Sequence, residues 1–127
     1  MNYLEIALAT DDNYAPYAAT TIASVIKSID PGYALSFTVL SSNLSTISIQ
    51  NLENLVNNTE HNLRVFDLVS SNLFDKLPTR QHWSKAMYFR LAIEEAFESQ
   101  GGKLLYLDCD LLVTTSIHEL FEIDFAD

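Results

Sequence analysis

The 127-residue chain carries 17 Asp and Glu against 7 Lys and Arg, a formal charge of −10, which argues against nucleic acid or an anionic membrane surface as its partner. The length is one domain's worth and the 48% hydrophobic content can fill a core, while a single cysteine excludes an internal disulfide. No signal segment opens the chain and no apolar run reaches about 18 residues, so the expected setting is reduced and cytoplasmic, at most peripheral to the inner membrane.

In chain order, Tyr3 to Ala9 reads as a short strand broken by Thr10-Asp11-Asp12-Asn13. A helix should follow, capped by Asp12 or Asn13, with Pro16 in its first turn and Ile22, Val25, Ile26 and Ile29 along one face. Asp30-Pro31-Gly32 stops it. Leu35 to Leu40 is a second strand, and Ser41-Ser42-Asn43 a turn. Ser45 then caps a second helix marked by Ile49, Leu52, Leu55 and Val56, which Asn57-Asn58 ends. Leu63 to Leu68 is a third strand, followed by a polar loop to His82. From Ser84 to Phe97 a largely apolar run predicts a buried third helix that carries two charges, Lys85 and Arg90. These lie five apart, about 140° around a regular helix. Gly101-Gly102 turns into the fourth strand. Alternating strands and helices predict an α/β fold with a mainly parallel sheet flanked by helices, whose ligand binds at the carboxyl ends of the strands.

The most informative stretch is Leu104-Leu105-Tyr106-Leu107-Asp108-Cys109-Asp110-Leu111-Leu112-Val113. So dense an apolar run reads as a strand buried on both faces, and two carboxylates are out of place in it. Unpaired buried charge is costly, so Asp108 and Asp110 must emerge at the strand's end or meet a cation. Residues i and i+2 of an extended chain face the same way, which sets the two carboxylates on one spot and Cys109 against the packing behind. Such a pair can hold Mg²⁺ or Mn²⁺, with water and a ligand phosphate completing the shell. The alternative is a turn or helix cap without a metal. Ser116-Ile117-His118-Glu119 carries its own capping box, with Leu120 and Phe121 on the apolar side of the helix it would open. With so acidic a chain, a diphosphate ligand needs a cation or a local Lys or Arg beside it.

Together, Leu8-Ala9-Thr10-Asp11-Asp12-Asn13-Tyr14, Ser84 to Leu91, Leu105 to Asp110 and Ile117-His118-Glu119-Leu120 resemble the family 8 glycosyltransferases, which include lipopolysaccharide galactosyl- and glucosyltransferases and glycogenin. The resemblance covers the whole chain in order. It implies a Rossmann-like GT-A fold, a UDP-sugar donor, a saccharide or glycolipid acceptor, retention of anomeric configuration and dependence on Mn²⁺ or Mg²⁺. It also implies that Asp108 and Asp110 are the metal-binding DxD, and that Ala9, Thr10, Asp11, Asn13 and Tyr14 hold the uridine. In that correspondence Asp11 reads the uracil edge, Asn13 lies near the ribose and Tyr14 offers an aromatic face. Lys85 and Arg90 correspond to basic positions near the phosphates, and Cys109 lies within the donor-binding DxD. Thr10 stands where alanine is more usual, and Cys109 where a small aliphatic is.

A whole catalytic domain of this kind is expected to exceed about 200 residues. Residues 1–127 are thus expected to be its truncated, N-terminal, nucleotide-sugar-binding part. The third metal ligand (a histidine), the acceptor site and the closing lid are expected elsewhere, and His61, His82 and His118 do not match that ligand. The surface so left is expected to be apolar and to favour self-association. Two other readings stand beside transfer. One is a binding fragment that transfers nothing alone. The other is a haloacid-dehalogenase-type phosphatase, whose DxD continues with Gly-Thr where Leu111-Leu112 stand here.

Overall fold

The computed structural model describes residues 3–68, 92–97 and 102–125. Strand β1 (Tyr3–Thr10) leads through a short loop into helix α1 (Ala15–Ser28), then β2 (Ala34–Ser41), α2 (Thr46–Asn54) and β3 (Asn62–Asp67). Residues 92–97 are helical, β4 spans Leu104–Tyr106, and a 3-10 helix runs from Ile117 to Glu122. The sheet order is β3-β2-β1-β4 with every pairing parallel, as the alternation of elements predicts. Lys85 and Arg90, with the start of the expected third helix, lie outside the described residues, as does His82.

Period-two alternation builds the two faces of the sheet. Ile6 and Leu8 of β1 and Leu35, Phe37 and Val39 of β2 pack with Ala18, Ile22 and Val25 of α1 and Leu52 of α2. On the other face Ala9 and Leu40 meet Leu68 and Ala92, joined by Ile93 and Ala96 of the helical segment. Helix α1 ends as Asp30-Pro31-Gly32 requires, with Gly32 at φ +94°. Asn58, at φ +60°, closes the turns that follow α2.

Two expectations change. The apolar run Leu104 to Val113 is a strand only over three residues, Leu104–Tyr106, and none of the three is fully buried. Its last sheet bond runs from the Leu107 amide to the Ala7 carbonyl at 2.9 Å. Beyond that point the two carboxylates turn into solvent and the backbone finds its partners on α1. The capping box at Ser116 also fails to form. Its hydroxyl accepts from the Asp30 amide at 3.0 Å and meets His118 Nδ1 at 2.7 Å, so a 3-10 turn without a side-chain cap replaces the expected α-helix. Phe121 packs on the core as expected, whereas Leu120 is exposed.

Candidate functional site

All four strands aim their carboxyl ends at one edge of the sheet. From β1 the chain winds outward to β2 and β3, yet β4 lies on the other side of β1. The winding therefore reverses between β1 and β4, which is where open parallel sheets take their ligands. Register pairs Ala7 with Tyr106, so the loop after β1 and the turn after β4 emerge side by side.

The β1 loop is organised by Asp11, whose Oδ1 accepts the Tyr14 amide at 2.9 Å, while the Thr10 hydroxyl donates to the Asp11 carbonyl at 2.9 Å. Tyr14 is the N-cap of α1 and makes no side-chain cap bond, so neither Asp12 nor Asn13 fills the expected role. The need for a cap is reduced, because Pro16 in the first turn has no N–H to satisfy. Asp12 reaches instead to the Ser45 amide, 3.0 Å away. Ala9 and Thr10 are buried, which leaves them to shape the floor, whereas Asn13 and Tyr14 are exposed. The Tyr14 ring lies 5.8 Å from that of Tyr17, tilted by 45°.

The turn at Cys109-Asp110 exposes Asp108 and Asp110 and leaves Cys109 half-buried against the core, the alternation read from the sequence. Burial pushes the Cys109 thiol pKa up, and the charges of Asp110, Asp108 and Asp11 push it further. Burial likewise raises the Tyr106 phenol, with a smaller part from Asp108. Carboxylates from two strand ends about a hundred residues apart in sequence thus act on one thiol. Two exposed carboxylates two residues apart suit a hard divalent cation. Among the described residues no group of three or more His, Cys, Asp and Glu side chains could hold a metal ion, so water and ligand oxygens would have to complete the shell.

Neither described histidine joins the site. The buried His61 accepts the Leu35 amide at Nδ1, and His118 stacks on Tyr33 with ring centroids 4.7 Å apart. The sequence reading missed Thr21, Ser24 and Ser28 of α1, whose hydroxyls bond the backbone just after the turn. Their signal was a hydroxyl row on a helix face that is otherwise apolar.

The model of glycosyl transferase family 8 matches residues 5–127. The chain is 31% identical over 122 residues to the lipopolysaccharide 1,3-galactosyltransferase of Salmonella typhimurium, covering 96% of this chain and 36% of that protein. It is 27% identical over 124 residues to the lipopolysaccharide glucosyltransferase WaaO of Escherichia coli, covering 98% and 36%. Among solved structures, the bifunctional glycosyltransferase WbbM in its apo form superposes with a TM-score of 0.82 at 27% identity, over 98% of this chain and 21% of that one. The galactosyltransferase LgtC, in complex with donor and acceptor sugar analogues, gives 0.70 at 27% identity, over 95% and 43%. The chain spans about a third of the length of the curated relatives it matches.

Proposed function

The chain belongs to glycosyl transferase family 8, and on that premise we propose that it forms the donor-binding part of a hexosyltransferase, which holds a UDP-sugar whose hexose passes with retention to a lipopolysaccharide-type saccharide acceptor. The observation that carries this reading is the convergence of Asp11 from β1 and the Asp108 and Asp110 pair after β4 at the reversal of winding. In it Asp11, Asn13 and Tyr14 face the uridine, Ala9 and Thr10 form the floor beneath it, and Cys109 packs behind the carboxylates that meet the diphosphate. Lys85 and Arg90 are assigned to the phosphates.

Asp108 and Asp110 would hold Mn²⁺ or Mg²⁺, which supplies charge neutralisation at the diphosphate leaving group when bound. Three carboxylates close to one thiol repel a bare diphosphate, so donor binding should depend on the cation. The chain's share of its relatives' length favours a division of labour in which this part holds the donor and transfer needs more of the protein. Among the described residues no helix is long and apolar enough to cross a membrane, and we place the protein in the cytoplasm, where a glycolipid acceptor would bring it against the inner membrane. Exposed Leu112 and Phe125 are where self-association is assigned, and sedimentation velocity over a concentration series tests it.

Calorimetric titration of UDP with and without Mn²⁺, repeated on Asp108→Ala, tests the donor site. The expected result is binding that Mn²⁺ strengthens in the parent and not in the variant. Binding indifferent to both metal and substitution would overturn it.

A further inference from the structure

After the turn at Cys109-Asp110 the chain runs along α1, and its backbone bonds to a row of side-chain hydroxyls in place of a sheet neighbour. The Thr21 hydroxyl donates to the Leu111 carbonyl at 2.8 Å and accepts the Leu111 amide at 3.0 Å. One side chain thereby exchanges both bonds with one residue, as a paired strand would. Two residues on, the Val113 amide donates to Ser24 Oγ at 2.9 Å and the Val113 carbonyl accepts from Ser28 Oγ at 3.0 Å. Ser116 Oγ closes the row by accepting the Asp30 amide at 3.0 Å. Thr21, Ser24 and Ser28 fall within about 60° of one another around the helix, and Thr21 is fully buried.

Such hydroxyls inside a helix ordinarily fold back on their own backbone. Ser24 does so, donating to the Thr21 carbonyl at 2.7 Å while it holds Val113. Thr21 and Ser28 reach out to the neighbouring segment instead. Rising numbers pair with rising numbers, from Thr21 with Leu111 to Asp30 with Ser116, so the segment travels parallel to α1. The turn that carries Asp108 and Asp110 is consequently clamped on both legs. The incoming leg is bonded to β1 through Leu107 and Ala7, and the outgoing leg to α1. Between β1 and α1 lies the loop of Asp11 to Tyr14. Both halves of the site are fastened to one β1-loop-α1 unit.

We propose that Thr21, Ser24 and Ser28 are positioning residues that fix the Asp108 and Asp110 turn against the uridine loop, so that one donor molecule can meet both. The inference rests on the donor-site reading above, and it assigns the hydroxyl row the part that second-layer partners play at metal sites, where their loss costs roughly 10- to 100-fold in metal affinity.

The test uses the full chain, with Thr21→Val, Ser28→Ala and the conservative Thr21→Ser, and reads UDP affinity with and without Mn²⁺ beside amide hydrogen exchange at Leu111 and Val113. Thr21→Val and Ser28→Ala are expected to lose about tenfold of the Mn²⁺-dependent gain, with metal-free UDP affinity and the unfolding midpoint little changed. Thr21→Ser, which keeps the hydroxyl, should retain the gain. Variants that keep the full gain, or lose metal-free and metal-dependent binding alike, would overturn the positioning role. Free exchange at Leu111 and Val113 in the parent would overturn it too, whether or not Thr21→Val folds. A parent whose UDP binding gains nothing from Mn²⁺ speaks against the donor site itself, while protected amides would leave the clamp standing as structure alone and overturn its assignment to the metal.

Discussion

The Asp12 carboxylate accepts the Ser45 amide at 3.0 Å, tying the loop that leaves β1 to the residue that caps α2. Ser45 Oγ in turn accepts the Ser48 amide at 3.2 Å inside α2. Two loops at the carboxyl edge of the sheet are thereby held together by one exposed side chain, beside the reversal of winding where the donor is placed.

That bond has a pH signature. The Ser45 amide, followed by the Ser48 hydroxyl, holds the Asp12 pKa below its ordinary value of 3.8. A carboxylate whose pKa falls on folding contributes stability above the unfolded value and loses it as pH drops through the folded one. The tie is therefore intact at neutral pH and released only below about 3.8. Two-dimensional amide spectra recorded down to pH 2.5 should show the Ser45 resonance moving with a midpoint under the ordinary carboxylate value. The movement should vanish in Asp12→Asn.

Asp12 also shows where the sequence could be read and where it could not. Periodicity placed β1, β2 and β3 and both described helices within a few residues, because each buries a stripe against the same sheet. The choice among Asp11, Asp12 and Asn13 depended on where the neighbouring loop lies. Ser45 is thirty-three residues from Asp12, and nothing local announces it. The Asp108 and Asp110 pair was legible because charge inside an apolar run is anomalous on its own. The length of β4 was misjudged for the opposite reason. Leu111 to Val113 looks like strand, yet its hydrogen-bonding partners are hydroxyls on α1 ninety residues away, which turn a strand-like segment into a clamp.

Asp11 and Asp108 should separate on substitution. Asp11 both organises its loop, through the bond to the Tyr14 amide, and is assigned to the uracil. Asp11→Ala should weaken UDP binding with and without Mn²⁺ and lower stability by about 1 kcal/mol, the scale of a lost side-chain cap. Asp108→Asn should affect only the Mn²⁺-dependent part. Parallel calorimetry and urea unfolding distinguish the two patterns, and identical behaviour of the variants would contradict separate roles.

Phe37 is the largest fully buried side chain and sits in the middle of β2, touching the cluster shared with α1 and α2. Phe37→Ala should cost about 3–5 kcal/mol, the transfer term plus the cavity left behind. Phe37→Leu should cost less, because it leaves a smaller cavity. Urea midpoints at an unchanged m-value are the measurement. A loss below about 1 kcal/mol for the alanine variant would mean that the sheet face can collapse onto the gap.

His61 gives a sharper case, because its cost is polar rather than apolar. The ring is buried, its Nδ1 accepts the amide of the fully buried Leu35 at 3.0 Å, and its own amide donates to Thr59 Oγ1 at 3.1 Å. An acceptor at Nδ1 places the ring proton on Nε2, which faces Glu60 Oε1 at 3.8 Å. His61→Ala would strand a main-chain donor at the start of β2, where water has little access, at about 1–3 kcal/mol. His61→Asn offers a side-chain oxygen near the same point and should recover much of that loss. Because this histidine supports the sheet end opposite the proposed donor site, both variants should bind UDP as the parent does at temperatures where they remain folded. Urea unfolding together with UDP titration checks the pair, and a large affinity change in a folded variant would contradict a purely structural histidine.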